Sequence, residues 1–332
     1  MHFTPDFQRR NRLEQIRLAA YTTMRIGGPA TLVTLEARED LPELMAMPHR
    51  WLGRGANLLV GDDGVAEPVV QLGAAFSAIH IGDIVGGRAV VTVGAATDLA
   101  ELIAACIKAG LAGPEGLAGV PATVGGALKM NAGTSTCWML DWVSRVEVIL
   151  PGENTPRWLE RAALPASYRS CGLPAGTVFL GGEMVLATGD PVVLKATASR
   201  LKQAKAASQP LALPSAGCVF KNPSPTMPAG KLIDELGLKG ERCGDAEIST
   251  VHANFIVNRT RTASCADVVA LIRRIREQAW RERGVVLTME IETWNCPTEL
   301  QVHPRRLSET ASETASGITS GIASGIASGA AV

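Results

Sequence analysis

Charge of one sign is what this 332-residue chain has least of, since thirty-two Lys and Arg are matched by thirty-two Asp and Glu. The charges are spread along the sequence, so no surface for nucleic acid or anionic lipid is indicated, and small-molecule partners are expected. Two arginine clusters, Arg9-Arg10-Asn11-Arg12 and Arg273-Arg274-Ile275-Arg276, are short and read as solvated faces. Long apolar runs are missing too. The opening MHFTPDFQRRNRLEQ has no signal-peptide core, and no later stretch approaches membrane-spanning length. A cytoplasmic protein without a membrane partner is therefore expected. Closely spaced cysteine pairs are also absent: Cys106, Cys137, Cys171, Cys218, Cys243, Cys265 and Cys296 are an odd number, far apart, with no CxxC. That pattern indicates neither a disulfide framework nor a metal site, and most should be free, buried thiols.

What is present is apolar bulk and glycine. A 46% hydrophobic composition over this length supports two or three filled domains. The densest glycine stretch is Gly110 to Gly133, GLAGPEGLAGVPATVGGALKMNAG, where apolar residues rather than polar ones separate the glycines. Glycine lets a backbone approach a ligand with no Cβ in the way, and buried N–H groups need acceptors, so the stretch is a candidate cradle for a phosphate-bearing cofactor. A second loop, Gly53-Arg54-Gly55-Ala56-Asn57-Leu58, is weak evidence alone and gains meaning if the two loops meet around one ligand.

In chain order, residues 1–20 read as a poorly structured lead-in with a short segment after it. Strands are predicted at Thr31–Leu35, Val90–Val93, Val143–Leu150 and Val178–Ala187, and a helix near Val193–Ala207. The clearest helix of the first half covers Asp98–Ala109, capped by Thr97 or Asp98, apolar on one face and stopped by Gly110. Gln209 to Pro214 reads as a stiff extended linker opening a new unit. A short helix at Ala229–Leu236 and a strand at His252–Asn258 follow it. A long helix, Cys265–Arg283, is capped by Ser264 with Asp267 three residues on and ends at Gly284; a strand at Val285–Thr293 follows. From about residue 303 a Ser/Gly/Thr/Ala/Ile near-repeat cannot bury enough apolar surface to fold alone and reads as a disordered tail, 303–332.

In order, TTMRIGGPA, GRGANLLVGDDG, the Gly110 stretch, YRSCGL, PSAGCVFKNP, AGKLIDELGLKG, HANFIVN and LTMEIE resemble the family of UDP-N-acetylenolpyruvoylglucosamine reductases, over about residues 12–293. The spacing resembles the shorter type, without an extra substrate-domain insertion. The resemblance implies an α+β protein: an FAD-binding module of the vanillyl-alcohol-oxidase (PCMH) type in two α+β subdomains, 12–73 and 74–207, and a C-terminal α+β substrate-binding domain, 208–300. It implies noncovalent FAD reduced by NADPH, hydride passing from flavin N5 to C3 of the enolpyruvyl group of a UDP-sugar, and an enzyme acid protonating C2. An oxidase of the same fold would share both glycine loops but would not need GCVFKNP or HANFIVN.

The resemblance also implies roles residue by residue. Gly53, Arg54, Gly55, Ala56, Asn57 and Leu58, with Gly119, Pro121, Ala122, Thr123, Gly125, Gly126 and Asn131, would surround FAD. Hydride attack on an enol ether bearing a carboxylate builds charge toward that carboxylate, which a guanidinium suits; Arg169 is the matching residue. Glu290 matches a carboxylate that orients the same group, although periodicity alone cannot separate it from Glu292 on the same strand face. Cys218 stands where most members have a serine proton donor, and a thiol can donate to an enolate; the alternative, a small buried hydrophobe with the acid elsewhere or a water, is weaker because the flanking GCVFKNP is otherwise intact. Tyr168, Asn222, Lys239 and His252 fall where the family contacts the nucleotide sugar. Thr134-Ser135-Thr136 after Asn-Ala-Gly, Cys171, and Ser208 before Gln-Pro depart from the family pattern.

Overall fold

The computed structural model describes residues 3–134, 137–297 and 300; the expected tail at 303–332 lies outside them. The first stretch runs α1 (Pro5–Arg10), β1 (Arg12–Arg17), β2 (Pro29–Leu35), α2 (Leu41–Met45), β3 (Arg50–Trp51), β4 (Leu58–Val60) and β5 (Val69–Leu72). Four of these strands make a sheet in the order β1-β2-β5-β3, in which β2 and β3 both run parallel to β5. The N-terminal segment is thus more regular than the sequence suggested. Thr4 caps α1 by accepting from the Phe7 N–H, Pro5 sets the first turn, and Phe7 is fully buried. Asp40 then ties α1 down, accepting from Arg10 and from Asn11 Nδ2 at 2.6 Å.

The second stretch contains β6 (Ile79–Ile81), β7 (Arg88–Gly94), α3 (Leu99–Lys108), β8 (Leu111–Ala112), α4 (Val124–Lys129), β9 (Val143–Ile149), β10 (Arg157–Glu160), β11 (Val178–Thr188) and α5 (Pro191–Ser208). Its sheet has the order β10-β9-β11-β7-β6, and the long β11 also pairs with β8. Helix α3 forms as its sequence dictates: Asp98 accepts from Ala100 N–H, and Leu99, Leu102, Ile103 and Cys106 are buried. Gly110 leaves the helix at φ +66°, which delivers the chain into the glycine stretch.

The third stretch holds β12 (Ser215–Cys218), α6 (Ala229–Glu235), β13 (Arg242–Cys243), β14 (Ala246–Ile248), β15 (Phe255–Asn258), α7 (Cys265–Arg283) and β16 (Glu292–Trp294). The sheet β12-β15-β14-β13 is antiparallel throughout. Helix α7 has the expected capping box between Ser264 and Asp267, and Gly284 ends it at φ +64°. Residues 209–214 fold as a turn, with Leu213 N–H donating to Pro210 at 3.1 Å, rather than as an extended linker. The expected strand at Val285–Thr293 is mostly irregular, because it answers to two partners. Its middle bonds to residues 219–221, and only Glu292–Trp294 pairs regularly, in parallel with β4 of the first stretch.

Arg276 corrects the reading of its cluster as a solvated face. It is 7% exposed among the apolar residues of α7 and donates to the Leu300 carbonyl at 2.8 Å. Among the described residues, no helix is long and apolar enough to cross a membrane.

Candidate active site

Two glycine loops meet. A Cβ built on Gly53 would lie 3.0 Å from Thr123 Oγ1, a contact that the hydroxyl would have to yield to, so glycine lets the two loops approach this closely. Gly55 takes φ +64° with its Cβ position 2.2 Å from the Tyr21 carbonyl oxygen, so it too admits no other residue without displacement. Thr123 caps α4 by accepting from Gly126 N–H at 3.3 Å, turning the end of the second loop into a helix start.

These loops form one wall of a cavity of about 1080 Å³. Pockets for single drug-sized ligands occupy ~300–1,000 Å³, so this cavity lies at the top of that range and suits a large ligand. Gly53 to Leu58, Gly119, Pro121, Ala122, Thr123 and Gly126 all line it, as do Tyr168, Arg169, Cys218, Asn222 and Glu290. Gly125 instead packs on Ala95, its N–H donating to the Ala95 carbonyl at 2.9 Å. Asn131 is buried behind the wall: its Oδ1 accepts from Leu140 N–H at 3.1 Å and its Nδ2 faces the Ser167 carbonyl at 3.4 Å. Lys239 and His252 lie away from the lining. Lys239 pairs with Asp234 at 2.8 Å, and burial holds the His252 imidazole below its usual pKa, with its ring edge-on to Phe255.

Within the lining three reactive groups converge. Arg169 sits in a tight turn closed by mutual Ser167 and Ser170 backbone bonds, at φ +59°, a conformation L residues rarely adopt. Its Nε donates to Glu290 Oε1 at 2.6 Å and its Nη1 to the Gly133 carbonyl at 3.3 Å, while the Tyr168 ring lies 5.0 Å below the guanidinium. Glu290 is fixed from both sides. Its N–H donates to the Val219 carbonyl at 2.8 Å, and its carbonyl accepts from Asn57 Nδ2 at 3.1 Å, so a glycine-loop side chain positions the carboxylate.

Cys218 ends β12, opposite Phe255. Asn254 locks the turn just beyond it, accepting from Phe220 N–H at 2.9 Å and donating to the Phe220 carbonyl at 2.8 Å. Burial and then the Glu290 carboxylate push the thiol up to about 12, against the opposing pull of Arg169 and an Asn254 hydrogen bond. The thiol therefore keeps its proton at neutral pH.

Sequence reasoning missed Lys205, Lys129 and Trp138, which also line the cavity. Burial holds the Lys205 ammonium below its ordinary pKa, and Arg169 adds to this. Its place one helical turn before Gln209 was the available signal. Lys129 pairs across the cavity with Glu292 at 2.7 Å, and only the fold brings those two together.

Residues 209–294 match the C-terminal domain of UDP-N-acetylenolpyruvoylglucosamine reductase, and residues 29–156 match an FAD binding domain. A UDP-N-acetylenolpyruvoylglucosamine reductase from Thermus thermophilus is 42% identical over 283 residues, covering 85% of this chain and 99% of that one. This chain belongs to that reductase family. The reductase of the same name from Deinococcus radiodurans is 38% identical over 85% of this chain and 96% of its own length. The crystal structure of the Thermus caldophilus reductase superposes with a TM-score of 0.75 at 40% identity, over 86% of this chain and 99% of that one. Membership makes the protein an FAD-dependent oxidoreductase, with an α+β FAD-binding module and a C-terminal domain. The residues present suit that cofactor: Gly53, Gly55, Gly119 and Gly126 line the cavity without a Cβ, which lets a diphosphate approach the backbone.

Proposed function

We infer that this chain reduces the enolpyruvyl group of UDP-N-acetylglucosamine enolpyruvate to UDP-N-acetylmuramate, with noncovalent FAD and NADPH as reductant, as a cytoplasmic step of peptidoglycan precursor synthesis. One observation carries the reading: Arg169, Glu290 and Cys218 share a cavity wall with both glycine loops. In the division of labour we propose, 12–73 and 74–207 hold the cofactor and 208–300 closes over the sugar nucleotide. Gly53 to Leu58 and Gly119 to Gly126 would hold the cofactor, with Asn131 supporting the loop from behind. Tyr168 and Asn222, both in the cavity lining, would hold the nucleotide sugar, with Lys239 and His252 set back from it.

Bound FAD supplies the hydride. The protein's own part is to stabilise charge and deliver a proton. With Nε and Nη1 of Arg169 engaged by Glu290 and Gly133, Nη2 is left to meet the substrate carboxylate as charge develops there. Glu290 holds the guanidinium in place through the short Nε bond. The Cys218 thiol donates to C2, and its proton is available because burial disfavours the thiolate. Once the proton has gone, the thiolate lies close to the Glu290 carboxylate, and that repulsion favours its reprotonation.

The test is to purify the protein, record the absorbance of bound oxidised flavin, and follow NADPH oxidation with and without the enolpyruvyl sugar. Substrate-dependent NADPH oxidation is expected. Oxygen consumption with an alcohol substrate and no response to the enolpyruvyl sugar would replace this reading with an oxidase; flavin binding without turnover would leave only a binding protein.

A further inference from the structure

Two cysteines that the sequence keeps thirty-one positions apart meet outside the cavity. Cys265 opens α7 directly after the Ser264 cap, and Cys296 follows β16. Their sulfurs are 3.3 Å apart, and neither lines the cavity. Cys265 is 1% exposed, and its N–H donates to both Asp62 carboxylate oxygens at 2.9 Å, which anchors its backbone. Cys296 is half-buried, its sulfur 3.5 Å from the carbonyl oxygen of Leu59 in β4. A disulfide needs its sulfurs at about 2.05 Å, and the remaining approach is within reach of small side-chain rotations while the Cys296 segment lies outside regular structure.

We propose that Cys265 and Cys296 are a modification site, a dithiol that peroxide closes to a disulfide, stapling the start of α7 to the β16–β4 ribbon. The Cys296 sulfur attacks one peroxide oxygen and the O–O bond breaks, giving a sulfenic acid and one water. The Cys265 sulfur then attacks that sulfur; the S–O bond breaks, the S–S bond forms, and the hydroxyl leaves as a second water with the remaining thiol proton. Two thiols are oxidised by two electrons, and one hydrogen peroxide is reduced to two waters. Cys296 reacts first because it is the more accessible and because the Cys265 hydrogen bond draws its thiol below the usual pKa.

The linkage bears on the site through the chain it holds. Leu59 follows the loop whose Asn57 positions Glu290, and α7 fills the core of the third stretch. A closed bond would fix that core to the cofactor half without touching a reacting group.

The purified flavoprotein is exposed to hydrogen peroxide, its free thiols are alkylated, and peptides are mapped by mass spectrometry, with thermal melting alongside. The expected result is one linked species joining the Cys265 and Cys296 peptides, lighter by two hydrogens, reversed by dithiothreitol, with a melting midpoint several degrees higher. Cys296→Ser removes both the linked species and the shift; as the more exposed position, it keeps the test intact should Cys265→Ser fail to fold. Separate alkylation of both cysteines after peroxide, separate overoxidation, or linkage to another cysteine would overturn the proposal.

Discussion

In the proposed mechanism a thiol at position 218 stands in for a hydroxyl, which would change the acid without changing its place. Glu290 and Asn254 fix the geometry around it through the backbone of 219 and 220, so the side chain can vary while the site stays put. A general acid contributes ~10²–10⁴-fold. Cys218→Ala should therefore lower kcat with the enolpyruvyl sugar by roughly that factor and leave reduction of the flavin by NADPH nearly unchanged, while Cys218→Ser should recover most of the loss. Rapid-mixing measurements of the two half-reactions check this, and full turnover in the alanine variant would remove the assignment. The raised pKa has its own consequence. An acid whose folded pKa is raised stays neutral below it, so only a trace of thiolate exists at pH 7, and alkylation of Cys218 by iodoacetamide should speed up about tenfold per pH unit through the mildly alkaline range. A rate that levels off near pH 8 to 9 would mean an ordinary thiol.

Among the elements, the glycine loops carry constraints that can be broken one at a time. Gly55→Ala forces a Cβ to within 2.2 Å of the Tyr21 carbonyl oxygen at φ +64°, and it should cost about 1–3 kcal/mol and weaken FAD retention. Gly126→Ala, whose Cβ would meet Thr123 Oγ1 at 3.5 Å, should be far milder; melting and flavin titration of the pair decide whether the first loop is held as described. The same contrast explains what could be read in advance. Helices α3 and α7 were legible because their caps and stops are local: Asp98 before Leu99, Ser264 with Asp267, Gly284 beyond Arg283. The run 285–291 was not, because apolar residues there serve a backbone pairing with 219–221 that no periodicity encodes. The Arg169 turn was hidden for a related reason, since the groups that hold its side chain, Glu290 and the Gly133 carbonyl, are distant in sequence. The motif pointed to the residue, but only the fold shows why it stays there.

At the scale of the whole molecule, the cavity has no single owner. Gly53 to Leu58 from the first stretch, Thr123, Gly126 and Lys205 from the second, and Cys218, Asn222 and Glu290 from the third all contribute to its walls, so binding energy there is felt by all three stretches. The parallel pairing of β16 with β4 and the Lys129–Glu292 pair cross the same divide. An exposed ion pair adds little by itself, so the pairing and the shared core that joins Met24, Ile26 and Leu59 to α7 carry most of the coupling. A ligand that binds only the assembled form stabilises it by about 2.7 kcal/mol at a hundred times its Kd. FAD added to flavin-free protein should therefore raise one melting transition rather than create a second, and flavin release should coincide with the loss of far-ultraviolet circular dichroism. Adding the UDP-sugar to the FAD form should raise that same transition again, because the third stretch contributes Cys218, Asn222 and Glu290 to the cavity. Flavin leaving in an earlier, separate transition would show that the cofactor half is stable alone and that the crossing strand does not bind the parts into one cooperative unit.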